Sequence, residues 1–176
     1  NHMAYFELTR ELLDVMRAST PARIVNVAST LHNNGKMHFN DLGLSSNFTP
    51  IKAYAQSKLA NVMFTFELAG RVKEDGITVN ALHPGVVASN FARTNTGLVG
   101  RMTAGVFWIM QKTLAVNVDQ GSDTLVYLAS APEVARETGK YWYKRKVSKV
   151  SADAMDREQW SRLWSESERM AAGDVI

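Results

Sequence analysis

The sequence contains no cysteine, which excludes a disulfide framework, a thiolate nucleophile and any cysteine-based metal site. That composition favours an intracellular, cytoplasmic setting. Long apolar runs are missing too. The longest, residues 104–110, falls far short of the roughly 18 to 20 residues that cross a bilayer, and no signal-peptide pattern opens the chain, so the protein is expected to be soluble. Nor is there a strong excess of charge. Twenty Lys and Arg against seventeen Asp and Glu leave +3 over 176 residues, spread along the chain, so no polyanionic partner such as nucleic acid is expected.

What is present suits a folded unit: 45% of the residues are hydrophobic and 21% charged, with no internal repeat or linker, so one domain is expected over residues 1–176. Phe6, Leu8, Leu12, Leu13 and Met16 recur at three- and four-residue steps, predicting a helix with one buried face that ends before Pro21. Residues 23–28, Arg-Ile-Val-Asn-Val-Ala, are short and β-branched, as in a central strand covered on both faces. Glycine, asparagine and serine dominate residues 30–49, a long loop beyond that strand's carboxyl end, where function often resides. Thr49 and Pro50 form an N-cap and first helical position, opening a helix through residues 53–72 that Gly76 stops.

Residues 77–82 are a second buried strand, broken by His83-Pro84-Gly85. A loop over residues 86–100 follows, then helices near residues 101–115 and 119–130, a third strand at 140–144 and a closing helix over 153–170 with Trp160, Leu163, Trp164 and Ser167 on one stripe. This alternation of strands and helices is that of a parallel α/β sheet.

Tyr54 and Lys58 stand four apart on the predicted helix, so their side chains share a face. A phenol is a poor base at neutral pH, and an adjacent ammonium favours the phenolate. Ser29 is placed at the carboxyl end of the first predicted strand, where α/β sheets put their ligands. A hydroxyl there can bond a substrate oxygen while the tyrosine exchanges its proton.

With these residues in place the chain resembles a short-chain dehydrogenase/reductase, and within that family the retinol-dehydrogenase-like branch. The matching stretches span nearly the whole chain: Asn1-His2-x-x-x-Phe6-x-Leu8-Thr9, Ile24-Val25-x-Val27-x-Ser29, Tyr54-Ala55-Gln56-Ser57-Lys58-Leu59-Ala60-Asn61, Val79-Asn80-Ala81-Leu82-His83-Pro84-Gly85-Val86-Val87, and Leu163-Trp164-x-x-Ser167-Glu168. The resemblance implies a Rossmann-like, doubly wound sheet and an NAD- or NADP-dependent oxidoreductase acting on an alcohol/carbonyl pair. It implies Tyr54 as general acid/base, Lys58 as the holder of the nicotinamide ribose that also lowers the tyrosine pKa, Ser29 as the orienting hydroxyl, and Asn1 as the support of a relay water. It implies that Val87 and Ser89 hold the nicotinamide carboxamide while Pro84 and Gly85 shape the turn; Ser89 stands where threonine is commoner in the family.

The family's Gly-x-x-x-Gly-x-Gly turn, whose amides bind pyrophosphate, does not occur in these 176 residues. Gly97, Gly100 and Gly105 follow no predicted strand. Only the last three strands of the family's sheet are therefore expected, with the strand at residues 23–28 exposing an apolar edge. Either a missing N-terminal part or a second copy of the chain is expected to cover it.

Other readings compete for particular residues. His2, His32, His38 and His83 share no ligand spacing, so ordinary polar roles are expected and no metal site. Ser29 lacks the Gly-x-Ser-x-Gly elbow of a hydrolase. Basic and aromatic residues interleave from Lys140 to Lys146 as in single-strand binders; an edge strand with a solvated turn explains them better. That patch and the Trp160–Trp164 stripe also suit contact with an anionic membrane surface. Residues 98–114, rich in methionine and aromatics, suit either a substrate lid or a packing helix. A non-catalytic scaffold that keeps the fold is the rival of the enzyme.

Overall fold

The structure is a computed structural model that describes residues 1–85 and 117–173. Helix α1 (His2–Ala18) carries the predicted apolar stripe, with Phe6 buried and Met3, Tyr5, Leu13 and Met16 packed on the same cluster. Leu8 and Leu12 instead remain exposed, at 63% and 44%. Strand β1 (Ala22–Val27) starts and ends one residue before the predicted span. Helix α2 (Pro50–Arg71) opens as expected, with Thr49 Oγ1 accepting from Lys52 N at 3.3 Å and proline in its first turn. Strand β2 (Ile77–Leu82) matches its predicted bounds.

Beyond the second strand come helix α3 (Val118–Ser130), strand β3 (Lys140–Tyr143), strand β4 (Lys146–Val147) and helix α4 (Arg157–Ala171). A capping box between Asn117 and Gln120 starts α3. The predicted closing helix over residues 153–170 is interrupted. Asp153–Met155 form a separate 3-10 turn, because Asp156 accepts hydrogen bonds from Glu158 N and Gln159 N and caps a fresh helix.

The sheet order is β1-β2-β3-β4. β1 and β2 run parallel from Ala22 opposite Ile77 to Val27 opposite Leu82, and β2 and β3 run parallel with Asn80 opposite Lys140. Period-two alternation decides which helix each side chain meets. Val79, Ala81 and Tyr141 pack toward α2, whereas Leu82 and Trp142 join Leu128 of α3. Helices thus cover both faces, as in a doubly wound Rossmann-like α/β fold. No described helix is long and apolar enough to cross a membrane.

Two sheet features differ from the sequence reading. β1 is only partly buried, Asn26 being its one buried residue, because among the described residues it pairs with a strand on one edge only. Beside it lies a groove of about 420 Å³ lined by Tyr5, Leu8, Leu12, Met16, Ile24 and Val25 among others, which is the apolar edge that the sequence reading anticipates. The other feature is β4, a fourth, antiparallel strand added to the three expected ones. Lys144 and Arg145, at φ +49° and +58°, form its two-residue turn with the twist that tight hairpins require. Arg145 holds this turn by donating its backbone N–H to Thr124 Oγ1 at 3.2 Å and by an ion pair with Asp123. Tyr141 and Trp142 are buried, so the aromatic half of the basic–aromatic stretch belongs to the core.

Asn80 joins the parallel strands from inside. Its Oδ1 accepts from Lys140 N and Trp142 Nε1, each at 3.2 Å, and its Nδ2 donates to Glu137 O at 2.6 Å. Replacing it with leucine leaves these groups unpaired in a region 4% exposed at Asn80. Asn80→Leu is expected to lower unfolding free energy by about 3 kcal/mol, read from the shift of the urea midpoint at unchanged slope.

Candidate active site

Ser29 is where β1 hands over to a 3-10 turn, Thr30–Asn34, that it caps: its backbone is extended and its Oγ accepts from Leu31 N at 3.2 Å. The turn ends at Gly35, which is buried against α2. A Cβ built there would lie 2.6 Å from Ala55 O and 3.0 Å from Leu59 Cβ, so only glycine lets the turn seat directly on the helix backbone. This approach sets Ser29 beside the residue preceding Ala55, which is Tyr54.

The remaining loop is pinned as well. Buried Gln56 accepts from His38 N at 3.1 Å and donates to Leu42 O at 2.8 Å. Asp41 accepts from the amides and hydroxyls of Ser45 and Ser46, an Asx-type arrangement that holds its pKa below the ordinary carboxylate range. Met37 and Phe39 pack onto the core.

Tyr54 and Lys58 share one face of α2, as their spacing predicts. The Lys58 ammonium donates to Val27 O at 3.0 Å and lies 5.6 Å from the Tyr54 ring centre and 5.7 Å from that of Tyr5. The side chain of Ser29 hydrogen-bonds Tyr54. Ser29, Tyr54 and Lys58, remote in sequence, therefore meet at the carboxyl end of β1.

The electrostatics depart from expectation. Burial raises the Tyr54 pKa above its ordinary value, and the bond to Ser29 opposes this only in part. Burial lowers the Lys58 pKa. The expected depression of the tyrosine pKa by the lysine is thus not found: the ammonium addresses the Val27 carbonyl and the ring, and withdrawing a phenolate from water costs more than one hydroxyl contact returns.

Asn1 reaches the site indirectly. Its Nδ2 donates to Ser57 Oγ at 3.3 Å, and Ser57 donates to Tyr54 O at 2.8 Å. His2 anchors the start of α1 behind it, with Nε2 at 2.8 Å from Ser167 Oγ and the ring against Phe6 and Phe64. On the neighbouring strand, His83 Nδ1 accepts from Gly85 N at 3.0 Å. Gly85 adopts φ +84°, a conformation that favours glycine. Val87, Ser89 and residues 98–114 lie outside the described residues.

Sequence reasoning missed His32 and Tyr141. His32 is fully buried, with Nδ1 2.6 Å from Ser29 O and its ring 4.8 Å, edge-on, from that of Tyr141. Proximity of His32 to Ser29 along the chain is the signal that could have found it; nothing local identifies Tyr141. Among the described residues no group of three or more His, Cys, Asp or Glu is placed to hold a metal ion.

Comparison with known proteins bears on this arrangement. The family model for short chain dehydrogenase matches residues 1–97. The chain belongs to the short-chain dehydrogenase family. Its similarity extends to the retinol-dehydrogenase-like branch: it is 40% identical to human Retinol dehydrogenase 13 over 97% of this chain and 52% of that protein. It is 37% identical to human Retinol dehydrogenase 12 over 95% of this chain and 51% of that protein. A crystal structure of an uncharacterized protein from Mycobacterium paratuberculosis superposes with TM-score 0.68 at 27% identity, covering 97% of this chain and 56% of that one. The chain thus spans about half the length of the curated relatives it matches.

His2, His32 and His83, each lowered chiefly by burial, are expected to make the fold sensitive to acid. Burial is the main cause that lowers His2 and His83 from 6.5 to about 4. Between those values the unfolded chain binds protons that the folded chain refuses, so stability rises with pH. It is expected to fall by about 3 kcal/mol for His2 as pH drops from about 6.5 to 4, with smaller contributions from His83 and His32. Urea unfolding across this range checks it, and His2→Gln should remove part of the loss.

Proposed function

We propose that the chain is the catalytic part of an oxidoreductase that transfers a hydride between NAD or NADP and the alcohol/carbonyl pair of a mainly apolar small molecule. The observation that carries this reading is the convergence of Ser29, Tyr54 and Lys58 at the carboxyl end of β1, with Tyr54 bonded to the serine side chain. Family membership and relatives named as retinol dehydrogenases support the reaction class and an apolar alcohol as substrate.

The donor set fits a nicotinamide nucleotide. Lys58 is a buried ammonium with one of its three N–H groups directed to Val27 O, which leaves donors suited to ribose hydroxyls. The Pro84-Gly85 turn stands at the end of the adjoining strand, and Val87 and Ser89 follow it in sequence. When bound, the nicotinamide supplies or accepts the hydride. Ser29 orients the substrate oxygen through its hydroxyl. Tyr54 gives its proton to the nascent alkoxide in reduction, or takes one from the alcohol in oxidation. Its raised pKa keeps the phenol protonated at neutral pH, the form that serves as acid. Asn1, through Ser57, steadies this turn of α2 and supports the proton relay.

Because no glycine-rich pyrophosphate turn occurs in these residues, this reading assigns that task to further sequence of a longer protein, whose strands would also cover the open edge of β1. The rival reading is a scaffold that keeps the fold without catalysis. In the full-length protein, Tyr54→Phe is expected to lower turnover of an apolar alcohol or aldehyde by roughly 100-fold or more while leaving the affinity for reduced cofactor within about twofold, as read by fluorescence titration. Unchanged turnover refutes the assignment of Tyr54. A flat titration with the parent protein favours the scaffold.

A further inference from the structure

Behind Ser29 and Tyr54 lies a pair of buried polar groups that the reaction as described leaves without a task. His32 is 0% and Tyr141 3% exposed. A carbonyl oxygen only accepts hydrogen bonds, so the 2.6 Å contact between His32 Nδ1 and Ser29 O requires the proton to be on Nδ1. Nε2 of the neutral ring is then a bare acceptor. Among the described residues neither His32 Nε2 nor the Tyr141 hydroxyl has a hydrogen-bond partner. One is an acceptor, the other a donor, and their rings meet edge-on at 4.8 Å. Native structures rarely leave such atoms unsatisfied.

Both rings belong to groups that already address the site. His32 sits in the turn that Ser29 caps. Tyr141 comes from β3 opposite Ala81, and its hydroxyl is close enough to Tyr54 to feel its charge, as is Tyr5 of α1. Burial lowers the His32 pKa and raises that of Tyr141, so near neutral pH the first is a neutral imidazole and the second an intact phenol. The tyrosine therefore has a proton to donate, and the histidine has a lone pair to receive it.

We infer that His32 and Tyr141 are positioning residues: the Tyr141 hydroxyl donates to His32 Nε2 through one buried water, and so fixes the imidazole with its Nδ1 proton on the Ser29 carbonyl. The fixed carbonyl sets the direction in which the Ser29 hydroxyl points. With its Oγ accepting from Leu31 N, the serine presents its proton toward Tyr54 or the substrate oxygen. The logic is that of an orienting group behind a reacting one, and misplacement by an ångström in such a site costs on the order of 100-fold in rate. The groups facing the Tyr54 phenol are then Ser29, Lys58 of its own helix, Tyr5 of α1 and Tyr141 of β3.

This inference rests on the proposed role of Tyr54, and the test separates the two. In the full-length enzyme, Tyr141→Phe and His32→Gln should lower kcat by about 10-fold or more with cofactor KM unchanged. Both should also move upward the kinetic pKa assigned to Tyr54, because the serine bond that opposes the burial shift is no longer held. His32→Asn, whose amide N–H can replace the Nδ1 donor but not the Nε2 acceptor, should recover only part of kcat. Nitrogen-15 spectra of the unsubstituted protein should show His32 as the neutral Nδ1–H tautomer, a reading that does not depend on any variant folding. An Nε2–H tautomer overturns the inference. So does an unchanged kcat and pH profile in Tyr141→Phe while Tyr54→Phe is inactive. Full activity of Tyr54→Phe instead removes the catalytic reading itself, whatever the tautomer.

Discussion

The seating of α2 on the turn that leaves β1 governs both the core and the site. Where Gly35 meets Ala55, backbone rests on backbone with no room for a methyl group, and one turn further along the Lys58 ammonium reaches back to the last carbonyl of β1. The same helix buries Leu59, Val62, Met63 and Leu68 completely. Each fully buried apolar side chain of this size contributes roughly 1.5 to 3 kcal/mol, which offsets the cost of taking Lys58 and Tyr54 out of water. The groups on α2 and the core are thus held by the same packing.

That seating also sets the electrostatic character of the site. Tyr54, Tyr141, Lys58, His32 and His83 are all shifted toward their neutral forms, with burial the first cause in every case. In such a medium a hydrogen bond counts for more than in water, and an unpaired donor or acceptor is costly. The contacts among Ser29, His32, Tyr54 and Tyr141 therefore matter individually. The surface ion pairs, such as Arg17 with Asp75 or Lys36 with Asp153, add little beyond fixing local geometry.

Much of this was legible before any coordinates. Thr49-Pro50 announces the start of α2, and the short run of residues 77–82 between Gly76 and His83-Pro84-Gly85 announces β2, because both signals are local in the backbone. The Tyr54–Lys58 spacing places both side chains on one helix face, whatever surrounds them. The β3–β4 hairpin was hidden because its turn uses Lys144 and Arg145 at positive φ, where Asn-Gly or Asp-Gly would normally betray it. The break before α4 was hidden because apolar periodicity runs past Asp156, whose capping bonds outweigh it. The expected influence of Lys58 on the Tyr54 pKa failed for another reason: spacing fixes proximity along a helix, while the balance of charge and burial depends on everything packed around it.

By itself the sequence determined the alternation of strands and helices, the family likeness, and the candidates Ser29, Tyr54 and Lys58, since these depend on periodicity, local caps and motifs read along the chain. Only the tertiary structure decided that β3 pairs with a fourth strand, that His32 and Tyr141 stand behind the serine, and that Asn1 approaches Tyr54 through Ser57. Those facts join residues separated by tens of positions through parallel strand register and helix seating. Register and seating follow from the competition among all buried side chains for one interior, a competition that no local stretch of sequence records.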